Sequence, residues 1–191
     1  MVPRDISPAS MVVLGSTASQ LFMSQLANHY MEEPMASQDT SAERELHRKF
    51  AVNLFNLVWD LLDKKDRTVE ENDRMLHAAH ASRFHWGEIG TPLELERGEW
   101  QVARVNAVLG RPEAALYHAQ RCLEICTENG FGDFDLAFAY EALARAYAAA
   151  GAPDESRRYF KLAEEAGVLI AKKEDQDYFT SELRTIDQVS E

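Results

Sequence analysis

Shifted by 41 residues, the chain falls back onto itself. Gly110 lands on Gly151, Leu95 on Leu136, Ala103 on Ala144, Arg104 on Arg145 and Ala107 on Ala148. The match runs on more weakly upstream, where Leu54 precedes Leu95, Trp59 precedes Trp100, and Ala78 and Ala81 precede Ala119 and Cys122 by the same interval. A period of this length is too short for a domain and long enough for two helices. A single such hairpin cannot bury its own apolar face, so successive units must stack into an α-solenoid with one continuous core.

The punctuation of the chain supports helices and gives no β signal. Three capping boxes occur, Thr40 with Glu43, Thr68 with Glu71, and Thr91 with Glu94. In each, the hydroxyl can accept an orphan amide hydrogen bond while the carboxylate reaches back to the cap. Pro92 suits the first helical position. Gly90, Gly110, Asn129 with Gly130, and Gly151 mark stops, because these residues tolerate the positive φ that ends a helix. These marks predict seven helices, near 41–63, 68–89, 92–109, 112–129, 134–150, 153–171 and 174–188.

The segment from Leu143 to Ala166 resembles the tetratricopeptide repeat pattern. Leu143, Ala144, Tyr147 and Gly151 hold the family spacing in the first helix of the unit, and Phe160 and Ala163 in the second. The preceding unit keeps Val102, Ala103, Gly110 and Ala115, with Cys122 at a small-residue site. It departs where Asn106 replaces the usual aromatic and Ala119 a larger apolar residue. A first unit at 41–90 is degenerate. The resemblance implies an all-α, right-handed solenoid of helical hairpins. The last helix, with Tyr178, Phe179, Leu183 and Ile186 on one side, would cap its open end.

The resemblance also implies a concave groove lined by the first helix of each unit. Residues one period apart would then lie side by side: Asn56, Arg97 and Phe138; Trp59, Trp100 and Glu141; Asp63, Arg104 and Arg145. Candidate ligand-binding residues are therefore Trp59, Arg97, Trp100, Arg104, Phe138, Glu141 and Arg145. Guanidinium forks suit carboxylates and indoles give large contact area, which points to an acidic peptide or carboxylate-bearing ligand. On this reading, replacing Arg104 and Arg145 by alanine abolishes partner capture without lowering the melting temperature. The alternative is that the tryptophans pack between hairpins and the arginines pair with Glu96, Glu99 or Glu141.

A second candidate site lies in the helix over 68–89. Asp73, His77 and His80 share one stripe at i, i+4 and i+7. With His118 from the next hairpin they could ligate zinc or iron. Alternatively Asp73 orients His77 as a general base of a small-molecule enzyme, with Arg83 or Arg104 holding an anionic substrate. Against both stands a structural reading in which Ala78, Ala81 and His85 face inward and the other histidines pack at the flank. No glutamate follows the first histidine, so the full metalloprotease motif is missing.

Composition narrows the function classes. With 20 basic and 32 acidic residues and a formal charge of -12, the chain repels polyanions, so no nucleic-acid partner is expected. Cys122 and Cys126 make no disulfide framework and read as small core thiols, which suits a reducing, cytoplasmic setting. Residues 1–39 differ in texture and form an appendage to a repeat domain over 40–191. Leu21, Phe22, Met23, Leu26 and Tyr30 could make a docking helix there, against the solenoid or a second copy of the chain. The apolar run Met11 to Leu14 is too short to span a bilayer, so no membrane partner is expected. The favoured reading is a protein- or peptide-binding adaptor without a cofactor, the alternatives being an enzyme or metal protein and a self-assembling structural protein.

Overall fold

The computed structural model describes residues 40–186, and among them it contains seven helices and no strand. These are α1 (Ser41–Leu62), α2 (Val69–Ile89), α3 (Pro92–Val108), α4 (Pro112–Asn129), α5 (Asp133–Ala149), α6 (Pro153–Gly167) and α7 (Lys173–Leu183). The appendage expected over 1–39, with its docking helix, lies outside the described residues.

The helix starts follow their sequence signals. Thr40, Thr68 and Thr91 each close a capping box with the glutamate three residues on. The stops are more specific than glycine alone. Gly110, Gly130 and Gly151 sit at φ +66°, +66° and +67°. At each, the amide after the glycine returns to the carbonyl five residues earlier: Arg111 to Asn106, Phe131 to Cys126 and Ala152 to Tyr147. This is the Schellman arrangement, which satisfies the carbonyls that a helix end would otherwise orphan. Gly90 departs from the expectation. Its φ of -82° is ordinary, and what it lacks is room, since a Cβ there would come within 2.6 Å of the Trp86 carbonyl oxygen.

Stacking follows the 41-residue register. Helices α1 and α2, α3 and α4, and α5 and α6 pair as hairpins, α2 packs on α3, α4 packs on α5, and the first helices α3 and α5 also meet. The core has two centres joined through α3. Val102 and Val105 pack with Val58, Leu61, Met75, Ala78 and Ala79, while Trp100 and Ala103 face Ala115, Ala119, Cys122, Phe138 and Leu143. Helix α3 is therefore covered on most of its circumference, which forces the polar side chains it carries to find partners.

The C-terminal end is shorter than predicted. Helix α6 stops at Gly167 instead of running to 171, and the Phe179 ring packs against that glycine; an added Cβ would lie 2.3 Å from it. Gln176 Nε2 donates to the carbonyls of Gly167 and Val168, 3.3 and 3.2 Å away, in place of the lost helical bonds. Helix α7 packs on α5 and α6 as a cap, burying Phe179 and Leu183, with Ile186 just beyond it. Tyr178 does not join that buried face and stays 43% exposed.

Candidate functional site

Four buried polar side chains on α3 show how the chain handles its most enclosed helix. Glu99 accepts from Arg83 Nε at 2.8 Å and pairs with His118 Nδ1 at 2.6 Å. Gln101 Nε2 donates to the Phe55 carbonyl at 3.1 Å, and Asn106 Nδ2 to the Val102 carbonyl one turn back at 2.9 Å. Glu96 is different. It is 1% exposed, and its Oε1 accepts from the Cys122 thiol at 2.8 Å, but Oε2 has no hydrogen-bond partner. Burial pushes its carboxyl up to about 7, against partial relief from the Cys122 and Cys126 thiols.

Glu96 also lines a cavity of about 210 Å³ whose other walls are Phe55 and Trp59 from α1, Arg97 and Trp100 from α3, Phe134, Asp135 and Phe138 from α5, and Tyr178 from α7. Its walls are thus chiefly aromatic. Trp59 lies 5.5 Å from Trp100, Trp100 stands edge-on to Phe138 at 5.4 Å, and Phe134 lies 4.5 Å from Phe138 (centroid distances). Trp59 and Trp100 are one period apart in sequence. Stacking has turned that interval into an aromatic row along the first helices, as the register predicts.

The arginines expected to serve a ligand are occupied. Glu141, with no exposed surface, accepts from Trp100 Nε1 at 3.1 Å, from Arg104 Nη1 at 3.1 Å and from Arg145 Nε at 2.7 Å. Glu182 of α7 takes Arg104 Nη2 at 2.7 Å, and its carbonyl takes Arg145 Nη2 at 3.0 Å. Two guanidinium groups thus face two carboxylates, leaving no surplus positive charge for an acid. Among the described residues, Arg104 Nε is the other buried side-chain atom without a partner. Arg97 alone of the three is half exposed, and its Nε pairs with Asp135 at 2.8 Å.

Residues 95–166, which span α3 to α6, match the tetratricopeptide repeat family. The solenoid is tetratricopeptide-like. No curated protein and no solved structure matches the chain. The family match supports protein interaction as the general role of the tetratricopeptide-like core.

The histidine stripe of α2 lies away from this cavity. Asp73, His77 and His80 are all exposed. His80 meets His118 edge-on, with ring centroids 5.4 Å apart. His118 is held by Glu99, which a metal ligand would have to share. Among the described residues, no three histidine, cysteine or acidic side chains are gathered so as to hold a metal ion. His85 pairs instead with His47, Nδ1 to Nδ1 at 3.1 Å, in line with the packing alternative for that residue. Burial and the neighbouring imidazole hold His85 below the ordinary histidine range; His80 is lowered in the same way, by burial and by His118.

Sequence reasoning missed Glu96 as a site residue and offered it only as a partner for the arginines, a role that Glu141 takes. It also missed Phe55, Phe134, Asp135 and Tyr178. For Glu96 a signal existed: it lies one turn before Trp100 on the stripe that continues through Ala103 and Ala107, an acid where the period calls for an apolar residue. Tyr178 carried no such signal, since it reaches the cavity only through the way α7 folds back. Among the described residues, no helix is long and apolar enough to cross a membrane.

Proposed function

We propose that this chain is a peptide-binding adaptor whose recognition point is the aromatic cavity between α1, α3, α5 and α7. The observation that carries this reading is that cavity itself, walled by Phe55, Trp59, Trp100, Phe134, Phe138 and Tyr178. Concave sites rich in aromatic rings, with a few fixed polar groups, are where ligands bind and where interface energy concentrates. The carboxylate-bearing ligand suggested by the arginine count loses its basis, since Arg104 and Arg145 are balanced by Glu141 and Glu182. The ligand is then one that inserts a side chain among rings. Two free thiols at Cys122 and Cys126 fit the cytoplasmic setting that we propose for it.

Selection from a random peptide display library on the full chain tests this. Selected peptides should bind wild type and lose at least tenfold in affinity against Trp59→Leu, while the melting temperature of the variant stays within a few degrees. Selection that yields no binder, or binders indifferent to Trp59, would remove the adaptor reading.

A further inference from the structure

Every other acidic side chain buried in α3 and α5 has its oxygens satisfied by donors from the chain; Glu96 Oε2 does not. An isolated carboxylate under an apolar wall is costly, and it is relieved either by protonation or by a cation brought to it. Oε1 is held by Cys122, so any donor brought to the carboxylate has to reach Oε2, and Glu96 forms part of the cavity wall. Trp59, Trp100 and Phe138 wall the same cavity. Rings so placed attract a cation within about 6 Å of their centroids.

Resting on the adaptor reading above, we infer that the cavity takes a primary ammonium on an alkyl stem, the side chain of a lysine in the partner peptide, with its nitrogen donating to Glu96 Oε2. The stem replaces water against the rings, as lysine stems do along apolar surface. A guanidinium fits less well, because its fork seeks two acceptor oxygens and one is already engaged by the thiol. A quaternary ammonium has the charge but no N–H for Oε2. A carboxylate ligand would meet the Glu96 charge, and the guanidinium nearest the cavity, Arg97, is paired with Asp135.

Binding requires the ionised carboxylate. Because burial places the Glu96 carboxyl at about 7, its ionised fraction rises about tenfold from pH 6 to pH 8, and ammonium affinity should rise with it.

The test is titration of the full chain with n-butylammonium, 1-butanol, tetramethylammonium and butyrate, read by the tryptophan indole N–H resonances at pH 6 and pH 8. At pH 8 butylammonium should bind at least tenfold tighter than butanol and tighter than tetramethylammonium, and most of that margin should vanish at pH 6. Glu96→Gln should erase the margin while retaining butanol binding, which shows the cavity still folded; Glu96→Met serves the same purpose should the glutamine disturb the site. Butanol binding as tightly as butylammonium, a preference for tetramethylammonium or butyrate, or a margin that survives both variants would overturn the inference. Library peptides that depend on Trp59 but ignore a Lys→Met change would sink the lysine assignment and leave the adaptor standing. Failure of every probe and every peptide would remove both.

Discussion

Glu96→Gln should stabilise the fold in a way that depends on pH. In the folded chain the carboxyl titrates at about 7, and its ordinary value is 4.5. A carboxyl raised on folding favours the native state only while it is protonated. That contribution is whole below about 4.5 and is lost as the pH climbs to 7. At about 1.4 kcal/mol per pH unit, the interval is worth about 3 kcal/mol, a large share of the stability of an ordinary domain. Glutamine keeps the shape and an oxygen for the Cys122 thiol but cannot ionise. The stability difference between variant and wild type should grow by about 2.5 kcal/mol from pH 5 to pH 8. In urea unfolding that is a divergence in midpoint of roughly 1 M. His80, His85 and Glu99 also titrate away from their ordinary values, but they are common to both proteins and cancel in the difference. A fixed offset between the variants is allowed, since an amide and a carboxyl pack differently. A difference that stays constant across the four pH units from 4.5 to 8.5 would refute the reasoning.

Four further perturbations have definite expected outcomes. Glu141→Gln leaves Arg104 and Arg145 against a neutral partner in the interior and should cost about 3–5 kcal/mol in denaturant unfolding; Arg104→Ala with Arg145→Ala should also lower the melting temperature, contrary to a purely ligand-binding role, and an unchanged value for either would restore that role. Gly167→Ala must displace the buried Phe179 ring and should cost about 1–3 kcal/mol by calorimetry, whereas a neutral result would mean that α7 shifts freely on α6. Zinc at a hundredfold excess over a micromolar site would add about 2.7 kcal/mol of stability to a protein holding such a site, and no rise in melting temperature is expected here.

The fold was legible because it is made of local signals repeated at an interval. Three threonine–glutamate boxes and the glycines at 110, 130 and 151 act within a few residues of themselves, so their outcome depends little on the rest of the chain. The register that places Trp59 beside Trp100 and Arg104 beside Arg145 follows from stacking equal units. The C-terminal end was not legible for the converse reason. Gly167 reads as an ordinary helical residue until Phe179, twelve positions on, takes the space at its α-carbon. The arginines were legible in position but not in role, since the sequence does not show which glutamates meet them; Glu182 reaches Arg104 from a helix 78 residues away.

Where the period is broken is more informative than where it holds. The positions 55, 96 and 137 occupy one register and read Phe, Glu and Ala; 59, 100 and 141 occupy the next and read Trp, Trp and Glu. Each row places one acid among apolar neighbours, a local conflict that a packed solenoid tolerates only with compensation. At Glu141 the compensation is inside the chain, three donors from Trp100, Arg104 and Arg145 around one carboxylate. That conflict is resolved by folding, and Glu141 is structural. At Glu96 the chain supplies thiols only, Cys122 on Oε1 with Cys126 beside it, and leaves Oε2 without a hydrogen-bond partner. Packing gives no reason to keep an acid there, because apolar residues hold the same register on both sides. The ammonium inferred above supplies one, and on that inference the two glutamates, alike in burial and in adjacent rows, divide into a strut and a recognition group.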